Sequence, residues 1–152
     1  MAYPSIFDSS TTESILTRIS KLTATTPAKW GKMNVGQMMA HCTVPYEQIF
    51  GENTDRPPLL MRLMVQLFFK KGIVNDVPYK QNLPTAPSFV KAETYDFERE
   101  KSRLINYIKN VEKMGEEAFE GMKSNSLGTL KAIEWNNLLY KHLDHHLKQF
   151  GV

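Results

Sequence analysis

With 152 residues, the chain is one domain in size and long enough to bury a substantial core without disulfides or metal staples. Its 19 lysines and arginines against 16 aspartates and glutamates leave a formal charge of only +3, with basic and acidic residues interleaved, so no nucleic-acid partner is expected. The lone Cys42 excludes an internal disulfide, and the start MAYPSIFDSSTT lacks the basic and apolar regions of a secretory signal, which makes a cytoplasmic protein the default.

In chain order, Thr11 or Thr12 caps a first helix running to about Lys21, with Ile15, Leu16, Ile19 and Leu22 at helical spacing. A threonine-rich loop containing Pro27 ends it. Asn34 stands where an N-cap belongs, and Val35, Met38, Met39, Cys42, Tyr46, Ile49 and Phe50 form a second apolar stripe that Gly51 closes. Pro45, four residues after His41, cannot donate to the His41 carbonyl, so this helix should bend or loosen there.

The run PPLLMRLMVQLFF, residues 57 to 69, is broken by Arg62 and Gln66 and is too short for the roughly 20 residues of a membrane span. Two polar positions four apart describe a helix with one narrow wet face, packed on the body of the protein or on a second copy. It lacks the basic stripe of a membrane-surface helix, so no membrane partner is expected, and its apolar residues Leu59 to Phe69 favour a homodimer. Residues 72 to 94, with Pro78, Pro84 and Pro87, read as a long surface excursion with room for short strands.

Asp96 to about Met114 carries Phe97, Leu104, Ile105, Ile108 and Val111 at helical spacing and breaks at Gly115. Residues 116 to 128 are a polar connection. Thr129 caps the last helix, whose members Leu130, Ile133, Leu138, Leu139, Leu143, Leu147 and Phe150 spiral along one broad face. The fold predicted is all-α, a four-helix bundle with an insertion helix and long loop between helices two and three.

Three of the four histidines lie within five positions of this last helix. His142 and His146 sit about 40° apart and one turn removed, on the side of Trp135, Leu138 and Leu139, so both point inward. That spacing lets two imidazoles reach one cation at about 2.0 to 2.1 Å. His145 is a rival partner, and an ordinary pair of hydrogen-bonded or solvated histidines is the alternative to a metal site. His41, at the edge of the second helix's apolar stripe, makes a three-histidine site between two helices geometrically natural. Cys42, about 100° around the helix from His41, reads as a small core residue instead of a ligand.

KWGKMNVGQMMAH, ending in His41, and EWNNLLYKHLDHHLKQFGV, with H-x-x-x-H followed by x-x-Q, resemble the two metal-bearing helices of the DinB-like superfamily of four-helix metalloenzymes. Residues 51 to 128 resemble it only in helical layout. The resemblance implies an up-down-down-up bundle in which His41, His142 and His146 are the metal ligands, His145 is a neighbour and Gln149 supports a ligand. Ser124 to Gly128 depart from the His-Pro-aromatic-x-Gly stretch common in this branch just before the final helix.

Characterised members of the superfamily imply a divalent metal and a low-molecular-weight thiol such as glutathione, bacillithiol or mycothiol. The expected activity is therefore thiol-dependent transfer onto a small-molecule substrate, because a thiol entering an open metal position is deprotonated there. Imidazole ligands suit zinc, nickel, iron and copper alike, with zinc first on general occurrence. A metal-dependent hydrolase using water in the same position, and a non-catalytic bundle serving in interaction or stress response, are the competing expectations.

Overall fold

The computed structural model of the protein describes residues 3–152; Met1 and Ala2, which open the segment read for a leader, lie outside the described residues. The periodic segments form helices α1 (Ser9–Ser20), α2 (Val35–Ile49), α4 (Phe97–Met114) and α5 (Ala132–Gln149). Between α2 and α4 a continuous helical element, here α3, comprises an α-helical piece Leu59–Met64, a π-helical piece Val65–Phe69 and a second α-helical piece Lys70–Val74. A short antiparallel hairpin, β1 (Lys123–Ser124) with β2 (Gly128–Thr129), precedes α5. The described chain is thus mostly helical, and residues 75 to 94 contain a single 3-10 turn, Pro87–Phe89, and no strand.

Helix starts follow the available acceptors. Asn34 caps α2 as expected, its side chain accepting from the Gln37 amide at 2.9 Å while Gln37 accepts from the Asn34 amide at 2.9 Å. Asp96 does the same for α4, accepting from the Arg99 amide at 2.8 Å. The other two expected caps are corrected. The N-cap of α1 is Asp8, three or four residues before the expected Thr11 or Thr12, which instead lie inside the helix, 7% and 3% exposed. Thr129 is spent in β2, and α5 starts after Lys131, where Glu134 accepts from the Lys131 amide at 2.9 Å and Glu120 from the Ala132 amide at 2.8 Å. Two carboxylates thus satisfy the first amides and oppose the positive end of the helix dipole.

Helices α2 and α4 pair most extensively, α1 lies against α4, and α5 lies against α2. Ile15 and Ile19 of α1, Met38, Met39 and Tyr46 of α2, Leu104, Ile108 and Val111 of α4, and Leu139, Leu143 and Leu147 of α5 share one apolar core. Each such side chain contributes about 1.5–3 kcal/mol through burial. Ile133 is not part of it, being 49% exposed, since at about 100° per residue it lies about 120° around α5 from Leu139. Cys42 is in the core as expected, its Sγ 3.7 Å from Met38 Sδ and its thiol pushed up by burial. Pro45 lies inside α2, which nonetheless continues to Ile49.

Helix α3 sits with its polar side inward. Gln66 donates to the Ser126 carbonyl at 3.2 Å and Lys70 to the Thr129 carbonyl at 3.0 Å, so this face rests on the hairpin. The expected wet face therefore meets the protein, while Leu59, Leu60, Leu67 and Phe68 stand 65–77% exposed. At the C-terminal end Lys141, only 2% exposed, donates to the carbonyls of Gly72 (3.0 Å) and Asn75 (2.8 Å) and to the Asn75 side chain (3.0 Å). An ammonium on the last carbonyls of a helix is favourable both as a donor and against the dipole.

Candidate metal centre

His41 comes from the middle of α2, and His142 and His146 from successive turns of α5, the two helices bringing ligand atoms of all three within 4.8 Å of one another. The ring centroids are 4.8 Å apart for His41 and His142, 4.5 Å for His41 and His146, and 4.8 Å for His142 and His146. His41 and His146 are buried and His142 is half-buried. Three histidines so placed could hold a metal ion.

The hydrogen bonds determine which nitrogens offer lone pairs. His41 Nδ1 lies 2.9 Å from the Phe89 carbonyl, which can only accept, so Nδ1 carries the proton and Nε2 is free. Gln149 Nε2 donates to the Trp30 carbonyl at 2.8 Å, which turns Gln149 Oε1 toward His146. Oε1 accepts from His146 Nδ1 at 2.8 Å, again leaving Nε2 unprotonated. Two of the three imidazoles are therefore oriented through their far nitrogens, the arrangement common to ligating histidines. His142 differs: its Nε2 lies 2.8 Å from His41 Nε2 and donates to it. Binding a cation there requires His142 to move that proton to Nδ1, and the pair to open to about 3.3 Å for tetrahedral angles at 2.0 to 2.1 Å.

Burial also favours neutral rings. It holds His142 well below the ordinary imidazole range, reinforced by the neighbouring His41 and His146. His146 is pushed down to about 3 by burial and by His41, and His41 is lowered by burial against the opposing Phe89 hydrogen bond. Neutral imidazole is the form that ligates. The donor set and its neutral rings thus fit a divalent cation once the His142 proton has moved to Nδ1.

His145, the sequence rival, is outside the converging ligand atoms, although its ring meets that of His146 edge-on at 5.1 Å. Its ring packs edge-on against Trp30 and Tyr79, each at 5.8 Å, on the other flank of His146. Gln149 makes the supporting contact expected of it. Two further participants were not singled out in the sequence. Phe89 supplies the carbonyl that orients His41 and covers the site edge-on, at 5.7 Å from His41 and 6.2 Å from His142. Trp30 supplies the carbonyl that sets Gln149. Both orient the site through backbone carbonyls, for which side-chain chemistry carries no signal. Ser124 to Gly128, at the departure from the His-Pro-aromatic-x-Gly pattern, form the hairpin under α3.

The class so defined is a mostly helical protein with a largely buried histidine triad between two helices, two of its rings pre-oriented. The chain matches, over residues 7–151, a protein family described as being of unknown function, DUF1569, and it belongs to that family. No curated protein and no solved structure matches it. No helix among the described residues is long and apolar enough to cross a membrane.

Proposed function

We propose that the chain is a divalent-metal-dependent enzyme with a DinB-like four-helix bundle, His41, His142 and His146 as ligands, and a low-molecular-weight thiol as co-substrate in transfer to a small electrophile. The observation that carries this reading is the convergence of three neutral histidines, two of them oriented by Phe89 and Gln149. A cation held by three imidazoles with a remaining open position would lower the pKa of an entering thiol, making a nucleophile at neutral pH. The protein's own contribution is to keep the imidazoles neutral by burial, present Nε2 of His41 and His146, and exclude water with Phe89. Zinc is the first choice of metal, with nickel and iron served equally by the donor type. A thiol co-substrate also accords with a cytoplasmic setting.

The test is metal content after purification without an affinity tag, followed by cobalt substitution and titration with glutathione, bacillithiol or mycothiol. A sulfur-to-cobalt charge-transfer band, absent in His41→Ala, is the expected result. A metal-loaded, folded protein that gives no band with any of the three at millimolar concentration rules out the transferase and leaves a hydrolase reading. The 2.8 Å hydrogen bond between His142 and His41 favours a second reading, a non-catalytic bundle whose triad is satisfied without an ion. Absence of tightly bound metal in the purified protein would decide for it.

We also propose that the protein forms a homodimer through α3. Leu59, Leu60, Met61, Leu63, Met64, Leu67, Phe68 and Phe69 are 46–77% exposed on one element whose polar side faces the body. Together they offer an area on the order of the ~800 Å² per partner that a stable interface buries.

A further inference from the structure

A second cleft, of about 220 Å³, lies between α3 and the hairpin, away from the histidines. Arg56, Arg62 and Lys123 line it, and no aspartate or glutamate does. Among the described residues no carboxylate pairs with any of these three cations. Arg62 Nε is buried with no hydrogen-bond partner. A buried guanidinium donor without an acceptor is costly, and three like charges around one hollow repel each other, unless an anion fills it.

The surroundings are built to hold that shape. Asn125 donates to the carbonyls of Asn53 (3.2 Å) and Asp55 (3.1 Å), which anchors the segment carrying Arg56 to the hairpin. Gln66, one turn after Arg62, is tied to the Ser126 carbonyl at 3.2 Å. Ser124 Oγ accepts from the amides of Ser126 (3.4 Å) and Leu127 (3.3 Å), leaving its own proton to donate.

We infer that this cleft binds a phosphoryl group. Two guanidiniums and an ammonium more than offset the two negative charges of a phosphate dianion, and arginine's planar fork meets its oxygens with paired, charge-assisted bonds. The volume admits the phosphoryl group and several more heavy atoms, so a phosphorylated small molecule or the headgroup of an anionic phospholipid fits the same chemistry.

The experiment is titration of the full chain with inorganic phosphate and with pyrophosphate, read by calorimetry and thermal unfolding. Potassium chloride at matched ionic strength is the control, and vesicles of phosphatidic acid or of phosphatidylcholine alone form a second arm. Saturable binding of phosphate or pyrophosphate assigns a soluble ligand. Binding confined to phosphatidic acid vesicles assigns a lipid headgroup, and either result supports the site. Arg62→Gln should weaken binding at least tenfold and Lys123→Gln, at an exposed position that cannot unfold the chain, several-fold. His146→Ala should leave it unchanged, separating this site from the metal centre. Effects equal to those of potassium chloride, or variants that bind as tightly as the parent protein, overturn the inference.

Discussion

Helices α5 and α3 are both amphipathic, yet they sit in opposite senses. In α5 the apolar residues Leu139, Leu143 and Leu147 are buried and bring the histidines inward with them. In α3 the polar residues Gln66 and Lys70 face the protein and the leucines face out. Periodicity states which residues share a face; whether that face turns inward depends on what lies opposite. Helix α5 meets the apolar stripe of α2. Helix α3 meets a hairpin whose free carbonyls, those of Ser126 and Thr129, require donors.

The largest expected effect separates the two helices by function. His41→Ala, His142→Ala or His146→Ala should weaken metal binding by more than about 100-fold, beyond what loss of a supporting group costs. His145→Ala should stay within a few-fold. Equal losses at His145 and His146, measured by competition with a chromophoric chelator, would break the assignment of an inward histidine face to α5.

The outward apolar face of α3 predicts that Leu67→Asp combined with Phe68→Glu raises the dimer dissociation constant by tens of fold or more, since each apolar side chain is worth about 1.5–3 kcal/mol when buried. Sedimentation velocity measures it. Because both residues are 72–77% exposed, monomer helicity should not change. A parent protein that is monomeric at high micromolar concentration would remove the dimer.

Acid should act on α5 and spare α3. His41, His142 and His146 have folded pKa values below the ordinary imidazole value, so the unfolded chain takes up protons that the native one refuses. The stability is then present above about pH 6.5 and lost as pH falls from there toward the folded pKa, which for His146 is about 3. At pH 5 that group alone costs about 2 kcal/mol. Chemical denaturation of metal-free protein at pH 7 and pH 5 checks it, and His146→Gln should reduce the difference by that amount while the contributions of His41 and His142 remain. Metal affinity should fall over the same range as protons compete for the rings.

The smallest effect tests the support of the triad. Gln149→Ala frees His146 Nδ1 and should lower metal affinity about tenfold, with the fold intact. No change in affinity would make Gln149 a bystander.

The residue pattern along the chain determined most of the local structure: the Asn34 cap, the helix start near Asp96, the stop at Gly115, and the four amphipathic stripes were readable because capping and burial act within one or two turns. The pairing of His142 with His146 was equally legible, since it follows from the helical repeat alone. Tertiary structure decided what depends on distant partners. It placed His41 against that pair, chose His146 over His145, and brought the Phe89 and Trp30 carbonyls to orient the rings through contacts 48 and 119 residues apart. It also moved the caps of α1 and α5, where the burial of Thr11 and Thr12 and the pairing of Thr129 outweighed local preference, and it turned α3 outside in. Backbone carbonyls carry no residue code, so where they seek donors the sequence pattern is silent and only the fold decides.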